Sequence, residues 1–297
     1  MPLRHLPALI GVAVLVALAL SGVMPGLGTS DVLRGSGADT KPTVTSGIPS
    51  AGSSPTAPRT TPPGPLVLVG LGDSVPSAET CGCSGYVEQV GDRLGRLTHR
   101  GWVVHNDANG GWTTADVEDD LASPATRDHL ADADLVIVEV GANDFDLDRV
   151  DDQGCFPAAG SDCWSATLAG LHDGLTRIIA AIRGINHRPD LRIALLGYWN
   201  VTVDGSVGRA LGEDFVLGSD SLTRLVNDTV QQVAASTGAV YVDAYTPLKG
   251  ASGTRDPTGD LLDDGDHPNA SGHALLSSAV VDELATAGAV ASWRAAP

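Results

Sequence analysis

The sequence predicts an α/β protein of three layers, with helices on both faces of a central parallel sheet. Three observations predict it. Short runs of Val, Leu and Ile alternate with longer segments of helical periodicity. The strand-like runs are apolar throughout, as strands covered on both faces must be. Polar, glycine-bearing patches follow three of these runs, where parallel sheets place their sites.

The elements follow in order. Leu66–Val69 reads as a buried strand, Tyr86–His99 as a helix and Val103–His105 as a second strand. Asp116–Leu121 and Pro124–Ala131 read as short helices, and Leu135–Val140 is the strongest strand in the chain. Ser165–Ile185 carries Leu168, Leu171, Leu175, Ile178, Ile179 and Ile182 along one stripe, an amphipathic helix. Leu191–Leu196 is the next strand, Ser221–Ser236 a helix with Asp220 as an acid at its N-terminus, Ala239–Val242 a strand and Ser271–Ala287 a closing helix.

This folded part, residues 65–292, is preceded by two segments of different texture. Arg4 and His5 lead into an apolar run from Leu6 to Met24, so residues 1–24 read as a signal peptide or a retained signal-anchor. Residues 25–64 are dense in Gly, Ser, Thr and Pro and read as a linker. The expected location is therefore extracellular or at the cell surface, with the membrane met only through the N-terminal segment. Four cysteines in an exported chain read as two disulfides among three possible pairings: Cys155–Cys163 closes a short loop and leaves the tight Cys81–Cys83. A zinc site at the C-x-C lacks a second ligand pair at finger or ribbon spacing. The formal net charge of −18 disfavours nucleic acid and anionic lipid surfaces.

Four patches carry chemistry. Gly70-Leu71-Gly72-Asp73-Ser74 places a serine at a strand-to-helix turn, a setting that suits a nucleophile, although Pro76 rules out the G-x-S-x-G elbow. Asn106 to Thr114 includes Gly110 and Gly111, whose backbone N–H groups suit an oxyanion. Gly141-Ala142-Asn143-Asp144 ends the strongest strand with a side-chain amide donor. Asp264-Gly265-Asp266-His267-Pro268-Asn269 precedes the last helix and pairs a general base with a carboxylate three residues earlier. Each patch alone is also what a helix cap or a turn would carry.

Together, in this order, the four patches resemble the SGNH (GDSL-type) hydrolase family, whose blocks carry Ser, Gly, Asn and His. GDSV, Gly111, GAND and DGDHPN are the matching residues, and the resemblance spans about 66–287. It implies the flavodoxin-like α/β/α fold of that family and ester hydrolysis without a metal or other cofactor. It also implies roles: Ser74 the nucleophile, His267 the base, Asp264 the acid that orients it. The oxyanion hole would be the Ser74 and Gly111 backbone N–H groups and the Asn143 side chain, with Gly110 an alternative to Gly111. Asp263 and Asp266 compete with Asp264 but lack the family spacing. Trp199, after the fourth strand, is a candidate substrate wall or else a core aromatic. The acidic stretch Asp256 to Asp266 lacks EF-hand spacing and reads as a solvated loop.

The expected activity is an exported serine esterase acting on short acyl esters, on an acylated polysaccharide or on a lipid, as a monomer. An acyltransferase, a lipase or lysophospholipase on the same site, and a non-catalytic surface-binding module are the alternatives. Loops 145–164 and 200–218 are where a lid for lipid substrates would have to come from.

Overall fold

The computed structural model describes residues 64–146, 155 and 163–294. The expected signal segment and linker, and most of the 145–164 loop, lie outside the described residues. No helix among the described residues is long and apolar enough to cross a membrane.

Among the described residues, five strands and ten α-helices follow one another: β1 Leu66–Gly72, α1 Ser74–Ser77, α2 Tyr86–Thr98, β2 Trp102–Asn106, α3 Thr114–Asp120, α4 Pro124–Ala131, β3 Leu135–Glu139, α5 Ser165–Ile185, β4 Arg192–Leu196, α6 Gly205–Ala210, α7 Glu213–Thr237, β5 Val240–Val242, α8 Tyr245–Lys249, α9 Ala270–Thr286 and α10 Ala289–Trp293. The strands pair in parallel in the order β2-β1-β3-β4-β5. The chain thus steps outward from β1 to β2, then returns to the other side of β1 with β3. The loops after β1 and β3 diverge there, and a crevice opens at their carboxyl ends.

Strand alternation sorts the core into two halves. Val69, Leu71, Val136, Val138, Ile193 and Leu195 point to one face, where they meet Val117 of α3, Leu130 of α4, Leu171 to Ile182 of α5 and Leu222 to Val233 of α7. Leu68, Leu135, Ile137, Ala194 and Leu196 point to the other, against Val87, Val90 and Leu94 of α2, Leu276 to Leu284 of α9, and Trp293 of α10. Both faces are apolar because both are covered, which is why the strands show no polar alternation.

The α5 limits agree with the periodicity, but α7 starts at Glu213, eight residues before the expected Ser221. Asp220 is therefore inside α7 and not at its start: it pairs with Arg224 one turn on and accepts the Tyr245 hydroxyl. Gly212 at φ +107 precedes that helix, and the acids of its first turn are Glu213 and Asp214. The 200–218 stretch is folded onto the core through buried Val201 and Phe215.

Gly72 closes β1 at φ +144, and a Cβ there would stand 1.9 Å from the Glu139 carbonyl oxygen. Only glycine lets the chain turn so close to β3. That turn delivers Asp73 and Ser74.

Candidate active site

Asp73 is the N-cap of α1: its Oδ1 accepts the Val75 N–H at 3.1 Å, and its own N–H donates to the Glu139 carbonyl. This fixes Ser74 as the first residue of the helical turn at the crevice. Ser74 is partly exposed, whereas Asp73 beneath it is 1% exposed.

Ser74, Val75, Ala142, Asn143, Trp199, Val201 and Asp266 line one small cavity, with a volume of about 40 Å³. The first, third and fourth patches therefore converge. The second joins them through Asn143, whose Nδ2 donates to the Trp112 carbonyl at 2.9 Å. An amide carries two N–H donors, so this contact leaves one to serve the cavity. Asp144 reinforces the junction by accepting both the backbone N–H of Thr114, at 3.0 Å, and its hydroxyl, at 2.6 Å.

Of the two glycines in the second patch, Gly111 has φ +82 and open space where a Cβ would stand. Gly110 is nearer the serine: a Cβ there would lie 3.8 Å from the Ser74 Cβ.

His267 Nδ1 lies 2.8 Å from Asp264 Oδ2. Asp264 Oδ1 accepts the backbone N–H groups of Asp266, at 2.9 Å, and His267, at 3.0 Å, so the acid folds the loop as well as holding the ring. Burial works to raise the Asp264 carboxyl, but these N–H donors and the imidazole hold it below its ordinary value. Asp266, the rival acid, is 3.9 Å from the same ring nitrogen, and Asp263 makes no ion pair among the described residues. Pairing at Nδ1 leaves Nε2 for proton transfer. No hydrogen bond joins Ser74 to His267 among the described residues, and the loop carrying His267 reaches the cavity through Asp266. Such contacts are commonly long before substrate arrives.

The loop carrying Asp264 is anchored from behind. The Asp204 N–H donates to the Gly265 carbonyl at 2.7 Å, and the Asp204 carboxylate meets Lys249 Nζ at 2.5 Å with both side chains buried. Elsewhere in the acidic stretch, Asp256 pairs with Arg209 and Asp260 with Arg255.

Several residues at the site carried no sequence signal of their role. Tyr198, buried at the end of β4, donates its hydroxyl to Asp73 Oδ2 at 2.5 Å. Glu139 is fully buried beside Gly72, and its carboxyl makes no hydrogen bond of normal geometry among the described residues. Burial, and then the nearby Asp73 charge, push Glu139 well above the carboxylate range. Burial also raises Asp73, to about 6, against the lowering effect of its bonds from Tyr198 and Val75. Trp199 is 1% exposed and packs in the core while also lining the cavity.

Cys81 is bridged to Cys83 and Cys155 to Cys163. His273 lies with the first pair, and their ligand atoms fall within 4.8 Å of one another. The sulfurs are bonded to each other, which removes the thiolates a cation there would need.

Residues 70–275 match the GDSL-like Lipase/Acylhydrolase family, and the chain belongs to it. Comparison with curated protein sequences gave no match. Among solved structures, the chain is similar to the lipase Lip_vut3 from a goat rumen metagenome, with a TM-score of 0.58 and 16% identity over 73% of this chain and 97% of that one. It is similar also to a catalytic mutant of Axe2, an acetylxylan esterase from Geobacillus stearothermophilus, with TM-score 0.53 and 19% identity over 75% and 96%. A lipase/acylhydrolase from Enterococcus faecalis gives TM-score 0.51 and 18% identity over 75% and 96%. These likenesses bear out the parallel, three-layer fold.

Proposed function

We propose that the protein is an exported serine esterase that hydrolyses short-chain carboxylic esters. The observation that carries this is the convergence of Ser74, Asn143 and the Asp264–His267 loop on one cavity at the strand ends. Ser74 is the nucleophile. His267 takes its proton as the hydroxyl attacks the ester carbonyl, and Asp264 holds the ring in the tautomer that leaves Nε2 free. The Asn143 amide, with the Ser74 backbone N–H and that of Gly111 or Gly110, stabilises the tetrahedral oxyanion. His267 then protonates the departing alcohol, and a water deprotonated by the same ring frees the acid and restores Ser74.

A preference for small acyl groups is supported by the size of the cavity, about 40 Å³, which suits a group of a few heavy atoms. An acylated polysaccharide is the natural kind of substrate for such a site, and the acetylxylan esterase among the similar structures fits that reading. Export is supported by the apolar run Leu6–Met24 and the linker after it.

The test is a series of aryl esters of increasing acyl length, with Ser74→Ala as the control. Hydrolysis that falls as the chain lengthens beyond acetyl and propionyl, and is lost in Ser74→Ala, is expected. Equal rates in the two proteins reject Ser74 as the nucleophile, and a maximum at long chains rejects the short-acyl reading.

A further inference from the structure

We propose that Tyr198 is a positioning residue for this reaction: its buried hydroxyl ties the nucleophile turn to the turn that carries Asn143. The inference rests on the esterase reading for its effect on rate, and on geometry alone for its effect on Asp73.

The hydroxyl makes two bonds, and they go to two different patches. It donates to Asp73 Oδ2 at 2.5 Å and accepts the Ala142 backbone N–H at 3.4 Å. Asp73 is the cap that sets Ser74 in place, and Ala142 precedes Asn143. One oxygen therefore spans the crevice between β1 and β3 from below, linking attacking group to amide donor.

Tyr198 is itself clamped. Asn227 of α7 accepts its backbone N–H at 2.8 Å and donates to its carbonyl at 2.7 Å. These bonds hold the backbone that carries the ring, and the ring itself is buried in the core at 1% exposure, so the hydroxyl is presented to Asp73 from a packed position. A tyrosine present only to fill space would satisfy its hydroxyl on any nearby carbonyl. This one meets a carboxylate next to the serine, the stronger and more directional choice.

The groups facing Asp73 are Tyr198 from the end of β4, Glu139 from β3, Tyr86 from α2, and Asp266 and His267 from the loop before α9. Among the described residues, Tyr198 is the one side chain that donates a hydrogen bond to the buried carboxylate. Without its hydroxyl, Oδ2 is a desolvated anion lacking its donor, and Asp73 takes up a proton at higher pH. The cap over α1 then changes within the working range of the site.

The experiment is Tyr198→Phe in the full chain, with two readouts. In the resting protein, the Asp73 carboxyl is titrated by carbon NMR and should move upward by about one unit or more. In the ester assay, kcat should fall by roughly 10- to 100-fold with KM within about twofold, as expected for a misplaced nucleophile. The acid limb of the kcat profile should move upward with it. Adding Tyr198→Phe to Asp73→Asn should move that limb no further.

Unchanged kcat, acid limb and Asp73 titration in Tyr198→Phe would overturn the proposal. A fall in kcat and stability with an unmoved Asp73 titration would also overturn it, leaving only a structural tyrosine. If Tyr198→Phe does not fold, Asp73→Asn decides, since it removes the charged end of that bond: kcat and acid limb equal to the wild type would overturn the proposal. Loss of the esterase reading itself is recognised separately, by equal hydrolysis in wild type and Ser74→Ala, and leaves the NMR titration free to judge Tyr198.

Discussion

Replacing Asp73 by asparagine should change how stability depends on pH, by an amount set by burial. Asp73 is buried beneath Ser74, and its carboxyl is raised from 3.8 to about 6. An acid raised in the folded state binds its proton more tightly there than in the unfolded chain. Its contribution therefore favours the fold at low pH, is lost as pH rises from about 4 to about 6, and is flat above. A shift of about two units corresponds to about 3 kcal/mol in all, of which about 2 kcal/mol falls between pH 4.5 and 7.5. Asparagine keeps the shape and an oxygen for the Val75 N–H, and it does not titrate. Urea unfolding of both proteins at the two pH values reads the effect of removing the Asp73 carboxyl, its pull on the neighbouring Glu139 included. The wild type should lose about 2 kcal/mol relative to Asp73→Asn on going from pH 4.5 to 7.5. Parallel behaviour of the two proteins would refute the claim that Asp73 is ionised at a thermodynamic cost.

Three further outcomes follow from the same geometry. Asn143→Ala removes the proposed oxyanion donor and should lower kcat about 10²- to 10³-fold with KM little changed, as measured by steady-state hydrolysis of an aryl acetate. Asp264→Asn leaves an acceptor near His267 but permits the wrong tautomer, and should lower kcat by about 10³- to 10⁴-fold without unfolding the protein, checked by circular dichroism alongside kinetics. Lys249→Met strands the buried Asp204 carboxylate behind the Asp264 loop and should cost about 3–5 kcal/mol in urea unfolding, with much of the loss recovered in Asp204→Asn/Lys249→Met.

The fold was legible because its elements obey strong periodicities. Leu135–Val140 and Ser165–Ile185 announce a doubly covered strand and an amphipathic helix, and the structure places both with little change. The start of α7 was not legible: Asp220 looks like an N-terminal acid, but its carboxylate serves Arg224 and Tyr245, and the helix begins earlier, at Glu213. Short α1, α6, α8 and α10 carry too few residues to show a period and owe their form to packing and caps. At the site, the four patches stand out only jointly: each alone is what a cap or a turn carries, and it is their order along the chain, at strand ends and before the last helix, that is specific. The supports beneath them do not stand out at all. Tyr198, Glu139, Asn227 and Lys249 are ordinary residues in ordinary elements, and their roles arise from contacts that link residues 29 to 125 positions apart along the chain.

The central claim is that the hydroxyl at position 74 is activated by the imidazole at 267. A fluorophosphonate that attaches covalently to activated serines, followed by mass spectrometry of the digested protein, tests it most directly. The label should be found on Ser74, be absent from Ser74→Ala, and attach far more slowly to His267→Ala. Attachment at another residue, or an undiminished rate in His267→Ala, would contradict it.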